Sequence, residues 1–377
     1  MKNTGKKLAL LLAVSLMLPM IAACGGSSSN NSTAPTSAPA KEESAAASAA
    51  SEAKSEAAAS STAETADDAS SDPAVTIKFS MNTAESSMTG LQYKAFKDLV
   101  EEESGGSITF EIYSSGSLVD DAGALDAVMD GTCDAAHGMV AYLDGVIKDL
   151  TPLEIPGYYS GESFADFASA TNGILSDIFA DYDIKFIGSN FQGQSAFVAT
   201  DGCITQPSDL KGQSVRAAGT YIAKAVEAWG GSPTTVSLAD LTSALERKTV
   251  DSAYTGYSIV GGFKLYEMAP YVTYTTITES YAALIMNMDK WNSLTANQQA
   301  AVERAAERWT EQSYGIGMDF RTQYIDEMTA AGVEIADLDS AATKAFTDLT
   351  APLFDEVEGS LGEKGQTLLS TLKELNG

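Results

Sequence analysis

Polar and apolar positions change period repeatedly after residue 74. Val75-Thr76-Ile77-Lys78-Phe79 alternates with period two, which predicts a strand, and Leu91 to Glu103 places Phe96, Leu99 and Val100 on one face of a helix closed by Gly105-Gly106. Ile108 to Tyr113 predicts a second strand, with further strands at Ile184 to Gly188, Gln213 to Ala217 and Ala283 to Asn287. Strands set between helices in this way predict an α/β construction. After Leu294 the period becomes helical for much longer. Thr295 to Gln298 fits a capping box, and Val302, Ala305, Ala306, Trp309, Ile316, Phe320, Tyr324 and Met328 continue the apolar face to Gly332 without a proline. Such a helix would be roughly 50 Å long.

An internal echo adds organisation to these elements. Ala127 to Ala136 aligns with Ala244 to Ala253 without a gap, each reading as a helix end, a tight turn, an Asp (Asp134, Asp251) and a strand of small residues. Two lobes on one plan would produce it. The expectation is lobe 1 from 75–198 plus 281–320 and lobe 2 from 199–280 plus 321–377, with the long helix crossing both or breaking near Gly315-Ile316-Gly317. His137-Gly138-Met139 and Tyr254-Thr255-Gly256-Tyr257 then fall at the C-terminal ends of equivalent strands, where open α/β sheets bind ligands.

The N-terminal part is of another kind. Lys2, Lys6 and Lys7 precede an apolar run from Leu8 to Ala23, short for a membrane span and suited to an export signal. The run ends Ile21-Ala22-Ala23-Cys24, which resembles a bacterial lipobox, so residues 1–24 are expected to be a lipoprotein signal with Cys24 as the lipidated residue. From Gly25 to Pro73, 28 of 49 residues are Ser or Ala and none is aromatic. That composition predicts a disordered tether, because it cannot bury enough apolar surface to offset its ordering entropy. Cys133 and Cys203 remain, and their spacing neither requires nor excludes a bridge.

Charge and composition narrow the function. The 377 residues hold 51 Asp+Glu against 23 Lys+Arg, a net charge of −28, which argues against nucleic acid as a partner. The leader holds +3 and the tether −6, which leaves −25 for the folded part. One histidine, His137, excludes His-ligated metal clusters, and neither a nucleophile elbow nor a phosphate-binding loop is present, so no metal, cofactor or catalytic residue is expected. Arginine is scarce, and Arg216 is the only one within a strand pattern. Its planar fork can hold a carboxylate by two parallel hydrogen bonds.

Several motifs in order resemble the DctP-type solute receptors of tripartite ATP-independent periplasmic (TRAP) transporters. They are Lys78 to Asn82, Ser114 to Asp121, Leu153 to Tyr158, Pro207-Ser208-Asp209-Leu210-Lys211-Gly212-Gln213-Ser214-Val215-Arg216, Gly230 to Thr234, and Thr249-Val250-Asp251. The resemblance implies a two-lobed periplasmic-binding-protein-like fold (type II-like) with a long helix spanning both lobes, closing over a small organic carboxylate held by Arg216. It also implies Asn82, Asp121 (or Asp120), Gly138, Met139 and Thr255 as ligand contacts. Gln192 to Ser195 stand where the acid-sugar binders carry a second arginine, and Tyr254-Thr255 replaces their Glu-Asn pair; both departures disfavour a sialic-acid-like ligand. Lys248 replaces a glycine, which reads as a surface change. Tyr221, Tyr254, Tyr257, Phe191 and Met139 are candidates for an apolar wall, His137 and Ser195 for further contacts.

The function expected is therefore a non-enzymatic receptor, lipid-anchored on the outer face of the cell membrane and monomeric. It would deliver its solute to small and large TRAP membrane subunits for ion-gradient-driven uptake. A receptor for a sensor kinase or an ABC importer is the alternative on the same fold, and a surface enzyme using the same cleft is another.

Overall fold

The computed structural model describes residues 72–157 and 163–375. Cys24, the leader, nearly all of the tether and Tyr158 lie outside the described residues. In chain order the elements are β1 (Val75–Ser80), α1 (Met88–Glu103), β2 (Ile108–Tyr113), α2 (Ala124–Met129), β3 (Ala135–Met139), α3 (Val140–Leu143), α4 (Phe164–Ala180), β4 (Ile184–Ala199), β5 (Ser214–Ala217) and α5 (Thr220–Ala228). There follow β6 (Ser232–Thr235), α6 (Leu238–Glu246), β7 (Ser252–Gly256), α7 (Tyr257–Gly262), β8 (Tyr271–Asn287), α8 (Met288–Ser293), α9 (Ala296–Ala330), β9 (Glu334–Asp337), α10 (Ser340–Glu358) and α11 (Glu363–Leu375).

One sheet runs β2-β1-β3-β8-β4-β7-β5-β6, with β9 beside β8. The unit β2-β1-β3 is parallel within itself and antiparallel to β8; β6-β5-β7 is parallel within itself and antiparallel to β4. The same motif thus occurs twice, and the sequence echo marks its last helix-turn-strand step. Matching bonds recur in each copy. Cys133 N–H donates to the Ala127 carbonyl at 3.1 Å and Val250 N–H to the Ala244 carbonyl at 3.4 Å. The echo's two aspartates do one job: Asp134 Oδ2 accepts from Lys78 N–H and Asp251 Oδ2 from Ser214 N–H, both at 2.8 Å, tying the first strand of each motif to the third. At the turn, Gly131 has φ 76° and its counterpart Lys248 has φ 54°. Lys248 is exposed, as expected, yet its left-handed backbone is one that a side chain disfavours, so the replacement carries strain as well as surface.

The longest strands extend far beyond the stretches visible in sequence. β4 has 16 residues and β8 has 17, paired along their length with irregularities near Gly188, Gly193 and Ser195. Both are buried on both faces over most of their course, which erases the two-residue alternation by which strands are recognised.

α9 is unbroken over 35 residues, and the Thr295–Gln298 capping box forms as predicted. Near its start, Trp309 is fully buried among Phe79, Tyr93 and Phe96 and donates from Nε1 to the Gln92 carbonyl at 2.7 Å. Removing that ring would cost roughly 3–5 kcal/mol. Farther along, Tyr324 and Met328 pack with Val260, Leu265 and Tyr274. Midway, the Tyr257 hydroxyl donates to the Gly317 carbonyl at 2.7 Å, and a Cβ at Gly317 would lie 2.7 Å from the Phe191 ring. A glycine there is what lets β4 press against the helix.

The C-terminal helices form a second brace. α10 packs on α5 and β8, while α11 packs on α4 and on the 3-10 turn at Lys148–Leu153. Lys364 Nζ reaches Asp181 Oδ2 and the Asp177 carbonyl, each at 2.6 Å. The chain end, expected wholly in lobe 2, therefore also binds elements expected in lobe 1. Cys133 and Cys203 are both free thiols; Cys133 is fully buried, and Cys203 donates to the Glu334 carbonyl at 3.5 Å.

Candidate functional site

The C-terminal ends of four equivalent strands converge on one cleft of about 770 Å³. The end of β1 supplies Asn82 and Thr83, β3 His137 and Met139, β5 Arg216 and Ala218, and β7 Tyr254 and Thr255. The middle of β4 adds Gln192 and Ser195, and the middle of β8 adds Thr278 and Glu279. The repeated topology dictates this arrangement, since both motifs deliver their loops to the same side.

Arg216 is 2% exposed. Its Nε donates to the Val236 carbonyl at 3.0 Å, which fixes the side chain, and Nη1 lies 3.5 Å from Thr255 Oγ1. Tyr142, on α3 of the other motif, brings its hydroxyl to the guanidinium. No carboxylate of the described residues lies within 4.0 Å of Arg216. Burial lowers its pKa, yet an arginine remains charged throughout the physiological range.

Facing it are acids. Asn82 Nδ2 donates to Asp121 Oδ2, so these two expected contacts meet each other in the cleft wall. Asp121 is 8% exposed, and burial pushes its pKa up to about 7 against the lowering effect of the Asn82 bond. Its neighbour Asp120 accepts from Gly123 N–H at 2.9 Å and does not line this cleft. Glu279 is 6% exposed, burial raises it to about 7, and the Tyr281 hydroxyl donates to its Oε2 at 2.6 Å. Burial also holds Glu154 well above the usual carboxylate range, with Asp144 adding to it. His137 shares a 2.8 Å hydrogen bond between Nδ1 and the Tyr93 hydroxyl, and burial lowers it to about 4, so it is neutral at physiological pH.

Of the other residues singled out in sequence, Met139, Ser195, Tyr254 and Thr255 line the cleft. The Tyr254 hydroxyl is already engaged with Thr278 Oγ1 at 3.2 Å. Tyr221 is placed elsewhere: its ring lies 4.9 Å from the Lys224 ammonium and packs near Phe354, while the next residue on α5, Ile222, lines the cleft. Phe191 and Tyr257 are also outside the lining, buried under α9. Gln192 lines the cleft with its amide engaged at both ends, accepting from Thr89 Oγ1 at 3.0 Å and donating to Asn190 Oδ1 at 2.7 Å. Tyr142, Glu154 and Glu279 had no signal in the sequence, because each is a lone polar position in a short or fully buried element. Among the described residues no His, Cys, Asp or Glu cluster is arranged to hold a metal, and no helix is long and apolar enough to cross a membrane.

A two-lobed α/β frame whose strand ends surround one buried guanidinium defines a solute-binding receptor. The chain belongs to the DctP family, the bacterial extracellular solute-binding proteins of family 7, whose model matches residues 79–360. Among curated relatives it is similar to the 2,3-diketo-L-gulonate-binding periplasmic protein YiaO of Escherichia coli, 24% identical over 74% of this chain and 85% of the relative. It is likewise similar to the C4-dicarboxylate-binding protein DctB of Bacillus subtilis, 23% identical over 80% of this chain and 86% of the relative. The fold matches the sugar acid binding protein of Advenella mimigardefordensis in complex with galactonate, with a TM-score of 0.74 at 17% identity over 80% of this chain and 99% of that one. It also matches the ectoine-binding protein of Halomonas elongata, with a TM-score of 0.72 at 20% identity over 80% and 99%.

Proposed function

We propose that this protein captures a small organic carboxylate by closing its two lobes, at 75–198 plus 281–320 and 199–280 plus 321–377, over Arg216, and hands it to TRAP membrane subunits for ion-gradient-driven uptake. The observation that carries the reading is Arg216: a charged group 2% exposed, fixed through Nε and without a carboxylate within 4.0 Å among the described residues. A buried charge needs a compensating partner, and a ligand carboxylate supplies it with the geometry a guanidinium favours. The names of the relatives, receptors for 2,3-diketo-L-gulonate and C4-dicarboxylates, support an acid as the solute. Cys24 would anchor the receptor to the outer face of the membrane by its acyl chains, with residues 25–73 as tether. Asn82, Asp121, Met139, Ser195, Thr255, Tyr254 and His137 would contact the remainder of the ligand.

The test is calorimetry with the acid that co-purifies with the protein, identified by native mass spectrometry. Arg216→Ala should lose about 2–5 kcal/mol of binding free energy while circular dichroism stays unchanged. Undiminished affinity in that variant would overturn the assignment.

A further inference from the structure

We propose, on the footing that the cleft receives a carboxylate, that its solute also carries a cationic nitrogen, bound by Asp121 in the wall of the cleft that holds Arg216. The cleft's charges are unequal. Arg216 is its only cation among the described residues, since no lysine lines it and His137 is neutral. Three carboxyl groups line it: Asp121, Glu154 and Glu279. A carboxylate on Arg216 satisfies the guanidinium and brings no cation to the acids.

The hydrogen-bond inventory points the same way. Asp121 is more than nine-tenths buried, and its Oδ1 has no hydrogen-bond partner. Asn82 Oδ1, beside it, has none either, and its orientation follows from the amide nitrogen facing the carboxylate. Both are acceptors, so what completes this wall must donate. A second carboxylate on the solute has no proton to give at neutral pH and would meet like charge; a hydroxyl donates but leaves the charge uncompensated. An ammonium or protonated ring nitrogen does both. Burial raises Asp121 and Glu279 towards neutrality, in Asp121 against the lowering effects of the Asn82 bond and the Arg216 charge. Asp121 comes from the loop after β2 and Arg216 from β5, so a solute that met both would bridge the two repeated motifs.

The experiment is calorimetry on the full chain, freed of co-purified solute, with L-phenylalanine, L-leucine, L-proline and 4-aminobutyrate. Each is paired with the analogue in which oxygen replaces nitrogen and with the analogue in which a second carboxylate does. The expected result is that the tightest-binding member carries nitrogen and exceeds its oxygen analogue on the order of a hundredfold, and that Asp121→Asn removes most of that preference. An oxygen or dicarboxylate analogue that binds as tightly as its nitrogen counterpart, or a panel in which no nitrogen compound binds, overturns the proposal. Arg216→Met separates this failure from that of the underlying reading. If it abolishes binding of whichever acid is tightest, the carboxylate receptor stands without the nitrogen; if it changes nothing, both fall.

Discussion

Two glycines in α9, one turn position apart from being neighbours, should respond to the same substitution with opposite sign. Gly315 is exposed, and a Cβ built there has no heavy atom within 4 Å beyond its own helix. Alanine at that position gains only the difference in helix propensity, about 0.8–1.0 kcal/mol of stability. At Gly317 the same propensity gain applies, but the new Cβ would sit 2.7 Å from Phe191 Cδ1 and 3.1 Å from Cε1. Phe191 cannot retreat freely, since it is 2% exposed and packed edge-on against Tyr314 with ring centroids 5.0 Å apart. Overpacking of this kind costs about 1–3 kcal/mol, and a contact this short belongs at the upper end. Net, Gly317→Ala should destabilise by about 2 kcal/mol and Gly315→Ala should stabilise by about 1 kcal/mol. Urea unfolding followed by tryptophan fluorescence measures both. If Gly317→Ala matches or exceeds wild type in stability, the close approach of β4 to α9 is not the reason for that glycine.

Lys248→Gly should stabilise the protein by about 1 kcal/mol, because it relieves a left-handed backbone at an exposed turn, and thermal melts would show it as a rise of a few degrees. A lower melting temperature would count against the strain. For pH, Asp121 and Glu279 have folded values of about 7, above those of the unfolded chain, so their contribution is fully present below about pH 4 and is lost as pH rises through 7. Asp121→Asn should flatten the loss in the ligand-free protein by up to about 4 kcal/mol between these limits; an unchanged slope in melts across that range would refute the assigned burial effect.

Local signals carried much of the frame into view. The Ala127–Ala136 and Ala244–Ala253 echo is read from two ten-residue stretches, and its meaning is in the backbone: each copy repeats the same turn and the same aspartate clamp. Thr295 and Gln298 announce α9 because capping is local. The middle of β4 and β8 was hidden because strands buried on both faces lose alternation, and Glu279 was hidden with them. Arg216 stood out through scarcity, whereas Tyr142, which approaches it, lies on a four-residue helix with no pattern to read. Tyr221 shows the limit of spacing arguments: one residue along α5 turns the side chain away from the cleft and brings Ile222 in. The contact of the chain end with α4 was likewise a matter of tertiary packing, made in part by Lys364 with the Asp177 carbonyl and Asp181.

The doubled motif has a consequence for how a solute can lie. A frame with approximate two-fold repetition would by itself offer a two-ended molecule two equal orientations. The register removes the degeneracy: Ser80 pairs with Ala136 in one motif where Arg216 pairs with Ala253 in the other, so equivalent strand positions carry a hydroxyl and a guanidinium. At that one position the two copies differ in charge, so a carboxylate drawn to Arg216 would find no equivalent seat in the twin motif.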